Sequence, residues 1–271
     1  MTEDLKFIQV GDLAEGITEN ILPDSDGLAG KSLKLFFEDG TVAQIRFNTI
    51  HAMTWEAIDG PEKGNTEDVT YRATSLRKGI FFVDYVKENQ RATTVSLVID
   101  LPAQRTTALI GSLPTEADTR KDAFSRVREG LELTGVSVRF LRAAIDMPIP
   151  EAHPHGPTNE LVGKRIKYVY SKTEIYEHIY LNPDLYTWHC LSGIEKGLAD
   201  TDRCHYYKIA EALYLFVWRE KIIPTLGVVM VDLNQMKTTG KLFGYKYDDF
   251  GVLTNAPIGA YATLLNVTCY D

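Results

Sequence analysis

Apolar residues recur along the chain in short alternating runs, and turn residues cut each run off. In the first half the runs are Lys34–Phe37, Val42–Phe47, Ile80–Val86, Thr94–Ile99 and Thr107–Ile110. In the second they are Arg165–Tyr170, Tyr176–Tyr180, Leu213–Trp218, Gly227–Val231 and Lys241–Tyr245. Glu38–Gly40, Asn182–Asp184 and Asp248–Gly251 supply the Gly, Pro, Asn and Asp that punctuate strands. Strands spaced about 8–12 residues apart predict an antiparallel sandwich or barrel. One helix is expected at Asp118–Leu131, where Ala123, Val127 and Leu131 share a face. Strands over Val136–Ile145 and Tyr261–Cys269 should finish the two halves.

The runs repeat. Leu28–Lys34 aligns with Leu161–Lys167, Thr54-Trp55 with Thr187-Trp188 and Gly60–Gly64 with Gly193–Gly197, all at an offset of 133. Ile99-Asp100 and Thr106-Thr107 meet Val231-Asp232 and Thr238-Thr239 at 132, and Gly111 meets Gly244 at 133. Matches in order with one-residue drift predict two copies of one fold. The expected division is a leader at 1–26, a first barrel at 27–146, a Pro-rich linker at 147–159 and a second barrel at 160–271. A copy of about 120 residues suffices for a closed barrel of roughly eight to ten strands, wide enough for side chains or one small ligand. The leader is expected either to cap a barrel mouth or to pack on the partner domain.

Composition narrows the function classes. Across 271 residues, 29 Lys+Arg against 37 Asp+Glu leave a formal charge of -8, which disfavours a nucleic-acid partner. No stretch approaches the roughly 20 apolar residues of a membrane helix. An acidic start and three cysteines (Cys190, Cys204, Cys269) suit a reduced, cytoplasmic protein without a disulfide framework. Neither a metal site nor a nucleotide cofactor is expected, because zinc spacing and phosphate-binding glycine loops are absent from the sequence. Of 14 tyrosines only Tyr71 and Tyr85 precede Pro150, so the copies are unequal.

The inequality points to a site. Side chains two apart on a strand share a face. Tyr168 with Tyr170, Tyr176 with His178 and Tyr180, and Tyr214 with Phe216, Trp218 and Glu220 therefore make three aromatic stripes with polar tips. The first-copy partners of Tyr168, Tyr170, Tyr176 and His178 are Leu35, Phe37, Ala43 and Ile45; those of Trp218 and Glu220 are Tyr85 and Lys87. The second barrel is read as the active one and the first as scaffold, interface or lid. A carboxylate among rings is poorly solvated and its pKa rises, which suits Glu220 to acid/base catalysis. Tyr168 and Tyr170 complete the catalytic set, with Tyr176, His178, Trp188, His189, Tyr206, Tyr214 and Trp218 as substrate-binding candidates. His189 falls on the strand face opposite Trp188, and His205 is a weaker proton-transfer candidate.

The runs Gly197–Lys208, Tyr176–Tyr180, Val217–Lys221 and Lys237–Gly240 resemble the C-terminal domain of the molybdenum cofactor biosynthesis protein F (MoaF) family. The likeness covers nearly the whole chain and implies an all-β fold of tandem calycin (lipocalin-like) antiparallel barrels. More distantly, Gly163, Tyr168-Val-Tyr170, Tyr176, Ser192-Gly193 and the Tyr214, Trp218, Glu220 strand look like phenolic acid decarboxylases. That resemblance implies tyrosines that orient a substrate and a glutamate that handles the proton. It departs at Leu198, where those enzymes carry an arginine; Arg203 is the candidate substitute.

These residues favour a small aromatic or phenolic molecule bound in the second barrel, with cofactor-free acid/base chemistry of lyase, hydratase, isomerase or cyclase type. The alternatives are a non-catalytic carrier or sensor, an accessory of molybdenum cofactor metabolism, and a homodimer that uses the tyrosines as its surface.

Overall fold

A computed structural model gives the fold and describes residues 6–149, 155–248 and 250–269. After α1 (Val10–Ala14), the first barrel comprises β1 (Ser32–Phe37), β2 (Val42–Phe47), β3 (Ala52–Asp59), β4 (Thr66–Thr70) and β5 (Arg72–Arg77). It continues with β6 (Ile80–Val86), β7 (Thr93–Asp100), β8 (Arg105–Ser112), α2 (Glu116–Thr119), α3 (Ala123–Arg128) and β9 (Ser137–Ile145). The second holds β10 (Gly156–Pro157), β11 (Lys164–Val169), β12 (Ile175–Tyr180), β13 (Leu185–Ser192), β14 (Ala199–Ala210) and β15 (Leu213–Arg219). It ends with β16 (Thr225–Asp232), β17 (Lys237–Tyr245), β18 (Leu253–Ile258) and β19 (Tyr261–Val267). All strand pairings are antiparallel, in the order β4-β3-β2-β1-β9-β8-β7-β6-β5 and then β10-β14-β13-β12-β11-β19-β17-β16-β15.

The barrels differ at their seams. The 12-residue β14 occupies the positions that β4 and β5 share in the first copy, and it pairs with both β13 and β15, closing the second barrel. In the first copy the strand breaks at Tyr71, so β4 and β5 are the free ends of a nearly closed sheet. β18 and β19 keep one register against β17 (Gly240↔Ile258, Lys237↔Tyr261) and are halves of one strand bent at Gly259-Ala260. A Cβ on Gly259 would lie 2.7 Å from the Asn20 carbonyl, so the bend lets the leader pass.

The barrels dock on a third core. Leu213, Leu215 and Val217, on the outer face of β15, pack with Leu226, Val228, Met230 and Phe243 against Phe82, Val98 and Leu109 of the first barrel. This explains why β7, β15 and β16 are buried along both faces. Each such aliphatic side chain contributes about 1.5–3 kcal/mol on burial. Ion pairs cross the same interface: Lys241 to Asp84 at 2.7 Å, and Arg77 to Asp232 through two hydrogen bonds of 2.6 and 2.9 Å.

Two expectations need correction or completion. The helix at Asp118–Leu131 is two short helices, because Asp122 takes an extended backbone and caps α3 by accepting from the Ser125 N–H. Its expected apolar face packs on nothing, with Val127 63% and Leu131 45% exposed. The leader's place is now defined: Val10 and Ile17 are buried in the core of the second barrel. Residues 150–154 of the linker lie outside the described residues, while His155 is buried against Thr107 of β8.

Candidate functional site

Alternation carries the aromatic stripes inward, and one glycine makes room for them. Trp218 on β15 lies opposite Gly227 on β16, and a Cβ there would sit 2.0 Å from the indole. The indole therefore lies across the neighbouring strand, and its Nε1 donates to Glu220 Oε1 at 2.8 Å. Tyr170, Tyr176, His178, Tyr186, Trp188, Trp218, Glu195 and Glu220 converge on a cavity of about 50 Å³ at one end of the barrel. Ile8, Val10, Leu13 and Ile17 of the leader roof it. Phe7 meets Trp188 edge-on at 6.2 Å, and the Ile8 N–H donates to Glu195.

Electrostatics follow from burial. Glu220 is held well above the ordinary carboxylate range by desolvation, reinforced by repulsion from Asp202 and only partly opposed by the Trp218 hydrogen bond. The residue as a whole is half-buried, so its carboxyl reaches the cavity without being sealed off. Desolvation also raises Glu195 and Glu174. The Tyr176 hydroxyl donates to Glu195 at 3.2 Å and lies 3.5 Å from Glu174. His178 is pushed down to about 3 by burial, so it is a neutral imidazole at pH 7. Its Nδ1 and the Tyr186 hydroxyl have no hydrogen-bond partner among the described residues. Buried polar atoms without partners cost about 1–3 kcal/mol each, and such atoms facing a cavity suit a ligand.

Not every sequence candidate reaches this cavity. Tyr170, Tyr176, His178, Trp188, Trp218 and Glu220 line it. Tyr168 lies beneath, its hydroxyl 2.6 Å from that of Tyr180. Tyr206 stacks on Phe216 and bonds Cys204. Tyr214 donates to Glu160 at 2.7 Å. Six residues at about 3.3 Å rise put Tyr214 roughly 20 Å along the strand from Glu220, at the other end of the barrel. His189 stands outside, bonded through Nδ1 to Glu177 at 2.9 Å. Tyr168, Tyr170, Tyr176, Tyr206 and Tyr214 are all buried.

The cation question also resolves. Leu198 is a buried core residue, and Arg203 points outward to Glu132 and Asp184 at 3.4 and 3.7 Å, so it does not replace the missing arginine. The lining of this cavity contains no Lys or Arg.

Two lining residues were missing from the sequence reading. Tyr186 shares a face with Trp188, a signal that period-two counting carries. Glu195 matches Glu62 in the repeat and so reads as scaffold. Of the two places expected for the leader, it takes the mouth of the second barrel.

Comparison with known proteins agrees with this architecture. Residues 155–268 match the family model described as the MoaF C-terminal domain, and residues 5–115 match the MoaF N-terminal domain. Protein MoaF of Klebsiella aerogenes is 44% identical over 273 residues, covering 99% of this chain and 98% of that one. A crystal structure described as "a putative beta-lactamase from Burkholderia vietnamiensis" is similar over 46% of this chain and 95% of its own, at 18% identity and a TM-score of 0.33, too slight to carry an argument. On both domains and on full-length identity, the chain belongs to the MoaF family.

Proposed function

We propose that the second barrel binds a small, partly aromatic, uncharged molecule and moves a proton on it without a cofactor. Glu220 is the acid/base group, and Tyr170, Tyr176 and Tyr186 orient the ligand. The observation that carries this reading is the Glu220 carboxyl, hydrogen-bonded to Trp218 and kept toward its protonated form by its surroundings. A carboxylic acid of raised pKa both donates and accepts near neutrality, which is what general acid/base catalysis needs. Substrate preference follows from charge. A lining with two carboxyl groups, Glu195 and Glu220, and no Lys or Arg among the described residues offers no cation to a carboxylate or phosphate, so neutral phenols and enolisable carbonyls fit better than hydroxycinnamates.

As it stands, the cavity holds only a few water-sized molecules. A ligand of one aromatic ring enters by displacing the leader, whose hold is the Phe7–Trp188 contact, the Ile8–Glu195 hydrogen bond and the burial of Val10 and Ile17. The small volume favours a second reading, a sensor in which ligand and leader compete for one mouth without turnover. An accessory role in molybdenum cofactor metabolism is compatible with family membership, but an anionic pterin phosphate would find no cation in this cavity.

The test uses 4-hydroxyacetophenone, a neutral phenol with an exchangeable methyl group. The protein should accelerate exchange of that methyl into D2O by NMR, and Glu220→Gln should abolish acceleration while sparing quenching of the barrel's tryptophans. Equal exchange in wild type and Glu220→Gln would sink the enzymatic reading. Binding without accelerated exchange in either protein would favour the sensor.

A further inference from the structure

The first barrel has a cavity that the sequence does not advertise. It measures about 300 Å³, against about 50 Å³ in the second barrel, and occupies the equivalent end. Its wall is mostly apolar, with Phe37, Ala43, Ile45, Leu97, Ala108 and Leu141 among the lining residues. Trp55 and Tyr85 add rings, and Lys87, Arg139, Asp39 and Glu62 stand at the open end.

The charges there are unequally engaged. Asp39 accepts from the Thr41 N–H and faces Arg139 at 3.7 Å, and Glu62 accepts from Asn65. Lys87 makes no ion pair among the described residues, and its Nζ lies 5.3 Å from the Trp55 ring centre. The buried Thr41 hydroxyl, on the same lining, has no hydrogen-bond partner among the described residues. An apolar chamber whose mouth carries an ammonium held over a ring but paired with no carboxylate among the described residues, together with an unsatisfied hydroxyl, matches one class of ligand.

We infer that the first barrel binds a small amphipathic acid, its apolar body in the chamber and its carboxylate at Lys87. This site is independent of the proton chemistry proposed for the second barrel. It also has the opposite charge preference, because Lys87 stands where the second barrel has Glu220.

Octanoate, octanol and octylamine are the probes, titrated into the full chain by calorimetry and by tryptophan fluorescence. Octanoate should bind one to one and perturb fluorescence in wild type but not in Trp55→Phe. Octanol should bind more weakly than octanoate, and octylamine more weakly still. Lys87→Glu should weaken octanoate about five- to tenfold, the scale of reversing a partly exposed charge contact, and leave octanol unchanged. Ala43→Phe should abolish binding by filling the chamber, with Ala108→Leu as a second filling variant if the first does not fold. Octanoate binding that survives filling, a preference for octylamine or octanol, or no binding of octanoate would each overturn the inference. Glu220→Gln should leave every one of these values unchanged.

Discussion

Position by position, the second barrel carries rings where the first carries smaller side chains. Tyr176 faces inward where the first has Ala43, His178 where it has Ile45, Tyr186 where it has Met53, and Trp218 where it has Tyr85. The bulk fills the second interior down to about 50 Å³ and leaves the first with about 300 Å³. Glu220 on the lining corresponds to Lys87 and Glu174, beside the Tyr176 hydroxyl, to Thr41, and a leader roofs one barrel while the lining of the other comes from its own strands and turns. Duplication thus separated two properties that a single barrel would have to combine. The second copy has titratable groups in a tight setting, and the first has space. The tyrosine-rich copy is therefore the tighter one, and the copy read from the sequence as scaffold, interface or lid is the roomier.

The comparison can be broken by transplanting residues between copies. The largest effect is expected from Tyr176→Ala, which gives the second barrel the first barrel's residue. It should cost about 3–4 kcal/mol in urea unfolding through the cavity it opens, and a loss below 1 kcal/mol would mean that the ring is not packed as described. Gly227→Val is next, since Val95 is the residue opposite Tyr85 in the first copy. A side chain at 227 collides with the Trp218 indole and should cost about 1–3 kcal/mol, with an altered near-UV signal from Trp218.

Smaller effects concern protons. Glu220 has its pKa raised by folding, so the native state holds the proton more tightly than the unfolded chain does. Its contribution is present in full below the unfolded carboxylate pKa and is lost as pH rises through the folded value. Glu220→Gln should therefore raise the melting temperature at pH 8 relative to wild type and change it little at pH 4. An unchanged difference across that range would show Glu220 to be solvated. The smallest effect is at His178, whose pKa is lowered to about 3. Stability from its neutral form is complete above pH 6.5 and lost as pH falls toward 3. His178→Ile should flatten that acid slope, and in wild type the His178 ring signals should not titrate between pH 5 and 8.

Strand alternation made the duplicated all-β fold and the inward stripes legible in the sequence, because a buried face leaves a period of two. It could not give depth. Tyr214 and Glu220 share a face yet lie at opposite ends, and Tyr168 shares one with Tyr170 yet sits beneath the cavity. Nor could it say which apolar face is inside: Leu213, Leu215 and Val217 are as greasy as the stripe behind them because they bind the first barrel. His189 fell outside, as its alternation with Trp188 required. The sequence left the leader either at a barrel mouth or on the partner domain and could not choose, because its partners on the lining lie some 150–250 residues away in sequence. The first cavity was unreadable because it is a volume left by what Ala43 and Ile45 lack.

The titration of Glu220 relative to the exposed glutamates tests the account most directly. The carboxyl carbon can be followed by NMR in protein labelled with 13C at glutamate, with Glu220→Gln to assign the signal. The account predicts a Glu220 carboxyl that titrates at a higher pH than the solvent-exposed glutamates. A Glu220 signal that titrates together with the exposed glutamates, or below them, would contradict it.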